Sequence, residues 1–115
     1  MVDFGNGTMD KVESMVCEQV NKVMDMQDRK CVSVSDLYVG KKNIPLARVL
    51  ARNFVFDVLH NRYGYSYNVI AQRAEMDRLS VMRCVRKCHL FISCDKTYSL
   101  INEMINDKII EWYGE

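Results

Sequence analysis

Tyr65-Ser66-Tyr67-Asn68-Val69-Ile70-Ala71-Gln72-Arg73-Ala74-Glu75-Met76-Asp77-Arg78-Leu79-Ser80-Val81 reads as a short helix, a three-residue break and the start of a second helix. Ser66 and Asp77 are both residue types whose side-chain oxygens cap a helix start by accepting a free backbone N–H. From Arg78 the second helix continues through Met82-Arg83-Cys84-Val85-Arg86-Lys87-Cys88 to about Ser93. At about 100° per residue from Arg78, the residues Val81, Cys84, Val85, Cys88, Phe91 and Ile92 fall within an arc of roughly 220° to 340°. Leu79, Arg83, Arg86, Lys87 and Leu90 fall within roughly 80° to 180°. One face must bury, and the other must meet solvent or a polyanion. A helix–turn–helix at about 66–93 with a cationic outer face has the size that the DNA major groove accepts.

The flanking sequence supplies more helices and no competing strand. Val12, Met15, Val16, Val20, Val23 and Met24 recur at helical spacing, predicting a helix from a Thr8 cap to about Gln27. The two glycines and the Asn within 1–7 predict a frayed start. Ser33 can cap a short helix through Leu37, and Gly40 permits a reversal. Lys41-Lys42-Asn43-Ile44-Pro45 is a basic loop. Pro45 suits the first turn of a helix running to about Arg62, with Val49, Leu50, Phe54, Val58 and Leu59 facing inward and Gly64 as the stop. Asp95 caps a last helix carrying Leu100, Ile101, Met104, Ile105, Ile109 and Trp112. The expected fold is a single all-α domain over residues 8–115.

The net charge of +1 hides an uneven distribution. Residues 41–91 hold ten Lys/Arg against three acids, a net of +7, while the segments on either side each carry −3. A basic centre with acidic flanks is a directional field suited to docking a polyanion on one side; exposed helices also carry charge for solubility alone. Five cysteines, an odd number without framework spacing, and no secretory leader point to reduced thiols in a cytoplasmic setting. No apolar run approaches the roughly 20 residues of a membrane span. Cys84, Cys88 and His89 cannot converge as metal ligands, because the thiols project toward the core arc and His89 away from it. They read as small buried hydrophobes, and no metal or cofactor is expected. His60 has no evident carboxylate or nucleophile partner. With no nucleophile–base–orienter set, an enzyme is not expected. Tyr63, Tyr65 and Tyr67 either brace the turn they surround or stack on a DNA backbone. Trp112 and Tyr113 either cover the core or contribute to self-association.

Groove-reading helices contact bases with their first residues and phosphates further along. Arg78 can pair bidentately with guanine, worth about 1–3 kcal/mol of discrimination. Leu79 can meet a thymine methyl, and Ser80 can bond to a base or a phosphate. Asp77 can accept from a cytosine amino group or act only as a cap. Lys41, Lys42, Arg48, Arg52, Arg73, Arg83, Arg86 and Lys87 are the candidate phosphate contacts.

From about Val12 to Ile110 the chain resembles the C-terminal DNA-binding domain of the bacterial chromosomal replication initiator DnaA. Val32-Ser33-Val34-Ser35-Asp36-Leu37 resembles the short element before that family's basic loop, and Lys41-Lys42 starts the equivalent of the loop. Arg48-Val49-Leu50-Ala51-Arg52-Asn53-Phe54 is similar to the start of its long helix. Tyr65-Ser66-Tyr67-Asn68-Val69-Ile70 resembles its "x-S-L-x-x-I" helix. Asp77-Arg78-Leu79-Ser80-Val81-Met82-Arg83-Cys84-Val85-Arg86-Lys87 is similar to the signature "D-H-T-T-V-L-H-A-C-R-K", with Asp77, Val81, Arg86 and Lys87 matching outright.

The resemblance implies a helical, Trp-repressor-like fold, base reading by the cluster at Asp77 to Ser80, and a loop that enters the minor groove. Arg78 stands at the family's histidine, Leu79 at its first threonine and Ser80 at its second. The turn before Asp77 is one residue shorter and lacks the family's glycines, and Asn43, Ile44, Leu46 and Leu50 stand where the family often has Arg or Ser. No G-x-x-x-x-G-K-[ST] loop is present, so no nucleotide is expected as a partner. The implied protein is a stand-alone double-stranded DNA-binding module, without ATPase activity or membrane contact and unable by itself to open a replication origin, that belongs to a mobile element or acts as a regulator. The alternative is a protein-interaction module on the same fold that has lost its DNA contacts.

Overall fold

Three side-chain caps start three consecutive helices of the computed structural model, which describes residues 7–40 and 42–114. Ser66 Oγ accepts from the Val69 N–H at 3.2 Å, Asp77 Oδ1 from Ser80 at 2.8 Å, and Asp95 Oδ1 from Tyr98 at 3.0 Å. Each satisfies one of the donors that a helix start leaves free. In chain order the helices are α1 (Thr8–Met26), α2 (Leu46–Asp57), α3 (Tyr67–Ala74), α4 (Arg78–Cys94) and α5 (Lys96–Tyr113). Among the described residues there is no strand. The chain forms one all-α domain, and no helix among those residues is long and apolar enough to cross a membrane.

Three local expectations change. Thr8 is the first helical residue and not the cap; Gly7, at φ +95°, takes that position without a side-chain bond. Ser33 precedes only one 3-10 turn, Val34–Asp36, and its hydroxyl bonds to the Asp36 carboxylate instead of a backbone N–H. The long helix extends to Arg62 as expected, but its last five residues (Val58–Arg62) are wound as π-helix. There the Tyr63 N–H reaches back to the Val58 carbonyl at 3.2 Å, the i to i−5 pattern of that conformation. Gly64, at φ +76°, ends it, a conformation that a side chain would strain. The frayed start expected for 1–7 lies, apart from Gly7, outside the described residues.

α2 is the central element, with α1 and α4 packed along it and α5 against both of those. Every residue from Leu50 to Leu59 is buried, including Arg52, Asn53 and Asp57. The expected single apolar face therefore understates its burial, and Val49, expected inward, is only half-buried. Phe54, Phe56 and Leu59 meet Val16 and Val20 of α1, Ile70 of α3, Val81 of α4 and Ile101 and Ile105 of α5 in one core. The three buried polar residues of α2, Arg52, Asn53 and Asp57, each have defined bonds. Asn53 Nδ2 donates to the Tyr98 hydroxyl at 2.9 Å. Asp57 Oδ1 accepts from Asn61 at 2.6 Å and lies 2.7 Å from His89 Nε2 of α4.

Candidate nucleic-acid interface

The turn between α3 and α4 is three residues long. Glu75 takes the left-handed conformation at φ +54°, its N–H bonding back to the Gln72 carbonyl, and the Met76 N–H bonds to Ala71. Asp77 then caps α4. The core side of α4 is held by Val81, Val85 and Cys88, all buried, with Cys84, Phe91 and Ile92 half-buried. Leu79, Arg83, Arg86, Lys87 and Leu90 are exposed, as the arc computed from spacing requires. Arg78 is exposed at the first helical position. Among the described residues, Arg78, Arg83, Arg86 and Lys87 form no ion pair; the four ion pairs present involve Arg73, His89 and Lys108.

The four candidate base-contact residues divide into two pairs. Arg78 and Leu79 project freely, Leu79 at 58% exposure. Asp77 and Ser80 are bonded to each other: Ser80 N–H donates to Oδ1 at 2.8 Å and Ser80 Oγ to Oδ2 at 2.9 Å. Those bonds, with the nearby Arg83 charge, hold the Asp77 carboxyl below the usual carboxylate range. Asp77 is therefore an ionised acceptor with a fixed orientation, and Ser80 offers lone pairs only, its proton being used in the cap.

Two of the phosphate candidates have their guanidinium groups engaged within the fold. Arg52 is only 6% exposed. It donates to the carbonyls of Leu37 (2.7 Å), Val39 (2.8 Å) and Gly40 (2.9 Å), so it holds the chain before the basic loop from beneath. Arg73 turns toward α1. Its Nε and Nη2 form a fork with Glu13 at 2.7 and 2.8 Å, and Nη2 also reaches Asp10. Glu13 is 3% exposed and also accepts the Tyr38 hydroxyl at 2.5 Å. A buried carboxylate needs such partners, and its place beside Val12 and Val16 on the apolar stripe of α1 was the sequence signal that Arg73 would be claimed. Arg48 is half-buried, with Nη1 donating to the Val39 carbonyl at 2.7 Å. Lys42 is exposed, and Lys41 lies outside the described residues. Ser35, Tyr38, Val39, Gly40 and Ile44 line one cleft together with Asp77, Ser80 and Cys84, so these residues around the loop and the start of α4 are neighbours.

The His60 ring stacks on Tyr67 at 3.8 Å, and Nδ1 lies 2.8 Å from the Tyr65 carbonyl oxygen; neither partner is a carboxylate or a nucleophile. Tyr63 is buried, and its hydroxyl accepts from Tyr113 at 3.1 Å. Trp112 is half-buried beneath the Lys11 ammonium, which sits 4.2 Å above its ring.

Compared with protein-family models, curated proteins and solved structures, the chain matches none.

Proposed function

We propose that this chain is a double-stranded DNA-binding module that lays α4 in the major groove, in the manner of the DnaA C-terminal domain it resembles in sequence, and has no enzymatic activity of its own. The supporting observation is the charge balance of α4. Its 17 residues include Arg78, Arg83, Arg86 and Lys87 and no Asp or Glu. Like charges three or four residues apart destabilise a helix by a few tenths of a kcal/mol each, and Arg78 lies at the end where the helix dipole disfavours a cation. Solubility alone would be served as well by mixed charges. An external polyanion offsets these costs by releasing counterions.

In this reading Arg78 and Leu79 meet base edges, while Asp77 accepts from a base amino group on the strength of its fixed orientation. Arg83, Arg86, Lys87 and Lys42 meet phosphates, and Lys41 belongs with them by sequence. Arg48, Arg52 and Arg73 position the surface from within. The test is duplex binding by gel shift at low salt. Replacing Arg83 and Arg86 by Glu is expected to abolish the shift while leaving the helical circular dichroism intact; full affinity in the double variant would refute the assignment. A second reading is favoured by Leu79 and Leu90, 58% and 61% exposed on the cationic face. Under it the face docks an acidic protein, and no random duplex shifts at micromolar protein.

A further inference from the structure

Arg48 and Arg52 stand one turn apart on α2 and converge on one acceptor, the Val39 carbonyl, at 2.7 and 2.8 Å. Two like charges thus lie side by side, and among the described residues neither is in an ion pair. Arg73, on the same cleft, is by contrast fully matched by Glu13 and Asp10. Arg48 Nε is buried without a hydrogen-bond partner. The bonds of Arg52 use Nε and Nη2, leaving Nη1 with none among the described residues. Buried guanidinium groups without a counter-charge are costly, and proteins normally supply one. Here the described residues supply carbonyl dipoles only.

Arg52 also lines an open cleft of about 960 Å³ bordered by Ser35, Tyr38, Val39, Gly40 and Ile44 and by residues of the α3–α4 turn and the start of α4. That volume is within the range for a small-molecule site. The same lining also carries Glu75, Asp77 and the Ser80 hydroxyl, which present hydrogen-bond acceptors. Neither carboxylate pairs with Arg52. The lining thus offers a cation without a counter-charge for an anion and several acceptors for hydroxyl donors. We propose that the cleft binds a small phosphorylated polyol, such as a sugar phosphate, with its phosphate at Arg52 and its hydroxyls on Asp77 and Glu75. A duplex does not serve as well, because Arg52 is 6% exposed behind the loop and a duplex carries its phosphates on a convex surface. The site goes beyond the DNA-binding reading and stands without it.

The test is an amide NMR titration of the full chain, without DNA, using ribose 5-phosphate, ribose and inorganic phosphate as separate probes. Ribose 5-phosphate is expected to give saturable shifts at Val39, Gly40, Ser80 and Cys84, with a Kd below about 1 mM. Inorganic phosphate is expected to bind more weakly at the Val39 and Gly40 end, and ribose to give no shift. Arg52→Gln should remove the response; if that variant does not fold, Asp77→Asn, which keeps a capping oxygen, should weaken ribose 5-phosphate several-fold and leave inorganic phosphate unchanged. Absence of saturable shifts, equal affinity for the two phosphates, a response surviving in folded Arg52→Gln, or ribose 5-phosphate affinity unchanged in Asp77→Asn would overturn the proposal.

Discussion

Asp77 caps α4 with both oxygens of one carboxylate. Its partners are the Ser80 N–H and hydroxyl, and replacing it by Ala is expected to lower the midpoint of urea unfolding at pH 7. Because its folded pKa is depressed, the added stability is present above the unfolded value of about 3.9 and is lost as pH falls through the lower folded value. The stability difference between the wild type and Asp77→Asn, compared at pH 7 and pH 3, should therefore shrink at the acid end. Arg73 gives a sharper contrast. Arg73→Ala strands a buried Glu13 with only the Tyr38 hydroxyl and is expected to destabilise the fold by about 3 kcal/mol. Duplex affinity under folded conditions should not change, since the fork to α1 keeps this guanidinium from any phosphate. Arg78→Ala should leave stability within about 0.5 kcal/mol and lose about 1–3 kcal/mol of discrimination at one base pair, read by competition between single-base variants of a selected site.

At the scale of elements, α2 carries the fold and α4 the proposed contact. Truncating Phe54 to Ala in the fully buried α2 is expected to cost about 3–5 kcal/mol, enough to unfold many domains of this size; denaturant titration measures it. The existence, order and inner face of α4 were legible in the sequence because a helix buried on one side prints its period on the chain. The caps at Ser66, Asp77 and Asp95 were legible for a local reason, since capping depends on residues within one turn. What was not legible depends on contacts distant in sequence. The roles of Arg52 and Arg73 are set by carbonyls 12 to 15 residues away and by a carboxylate 60 residues away. Counting cations in a window cannot separate those that face outward from those that hold a loop. The all-round burial of α2 was likewise hidden, because Arg52, Asn53 and Asp57 read as a polar face until their partners are known. Thr8 was misplaced as a cap because glycine leaves no side-chain signal at the position it took.

For the whole molecule, the basic centre of the chain becomes a one-sided surface only after subtraction. Arg52 is buried and Arg73 is neutralised by Glu13 and Asp10, so the exposed charge without an ion pair includes Arg78, Arg83, Arg86 and Lys87 of α4 and Lys42. Acidic flanks in α1 and α5 would orient the domain on an approaching polyanion, and that attraction weakens with salt over a Debye length of about 10 Å at 0.1 M. Four or five phosphate contacts imply that log affinity falls with log salt at a slope of about −4. The most direct test is therefore that slope, measured for the wild type and for Arg83→Glu/Arg86→Glu on the same duplex by fluorescence anisotropy. The account requires a slope near −4 for the wild type and no measurable binding for the double variant with its helical signal retained. Equal affinities and equal slopes for the two proteins would contradict it.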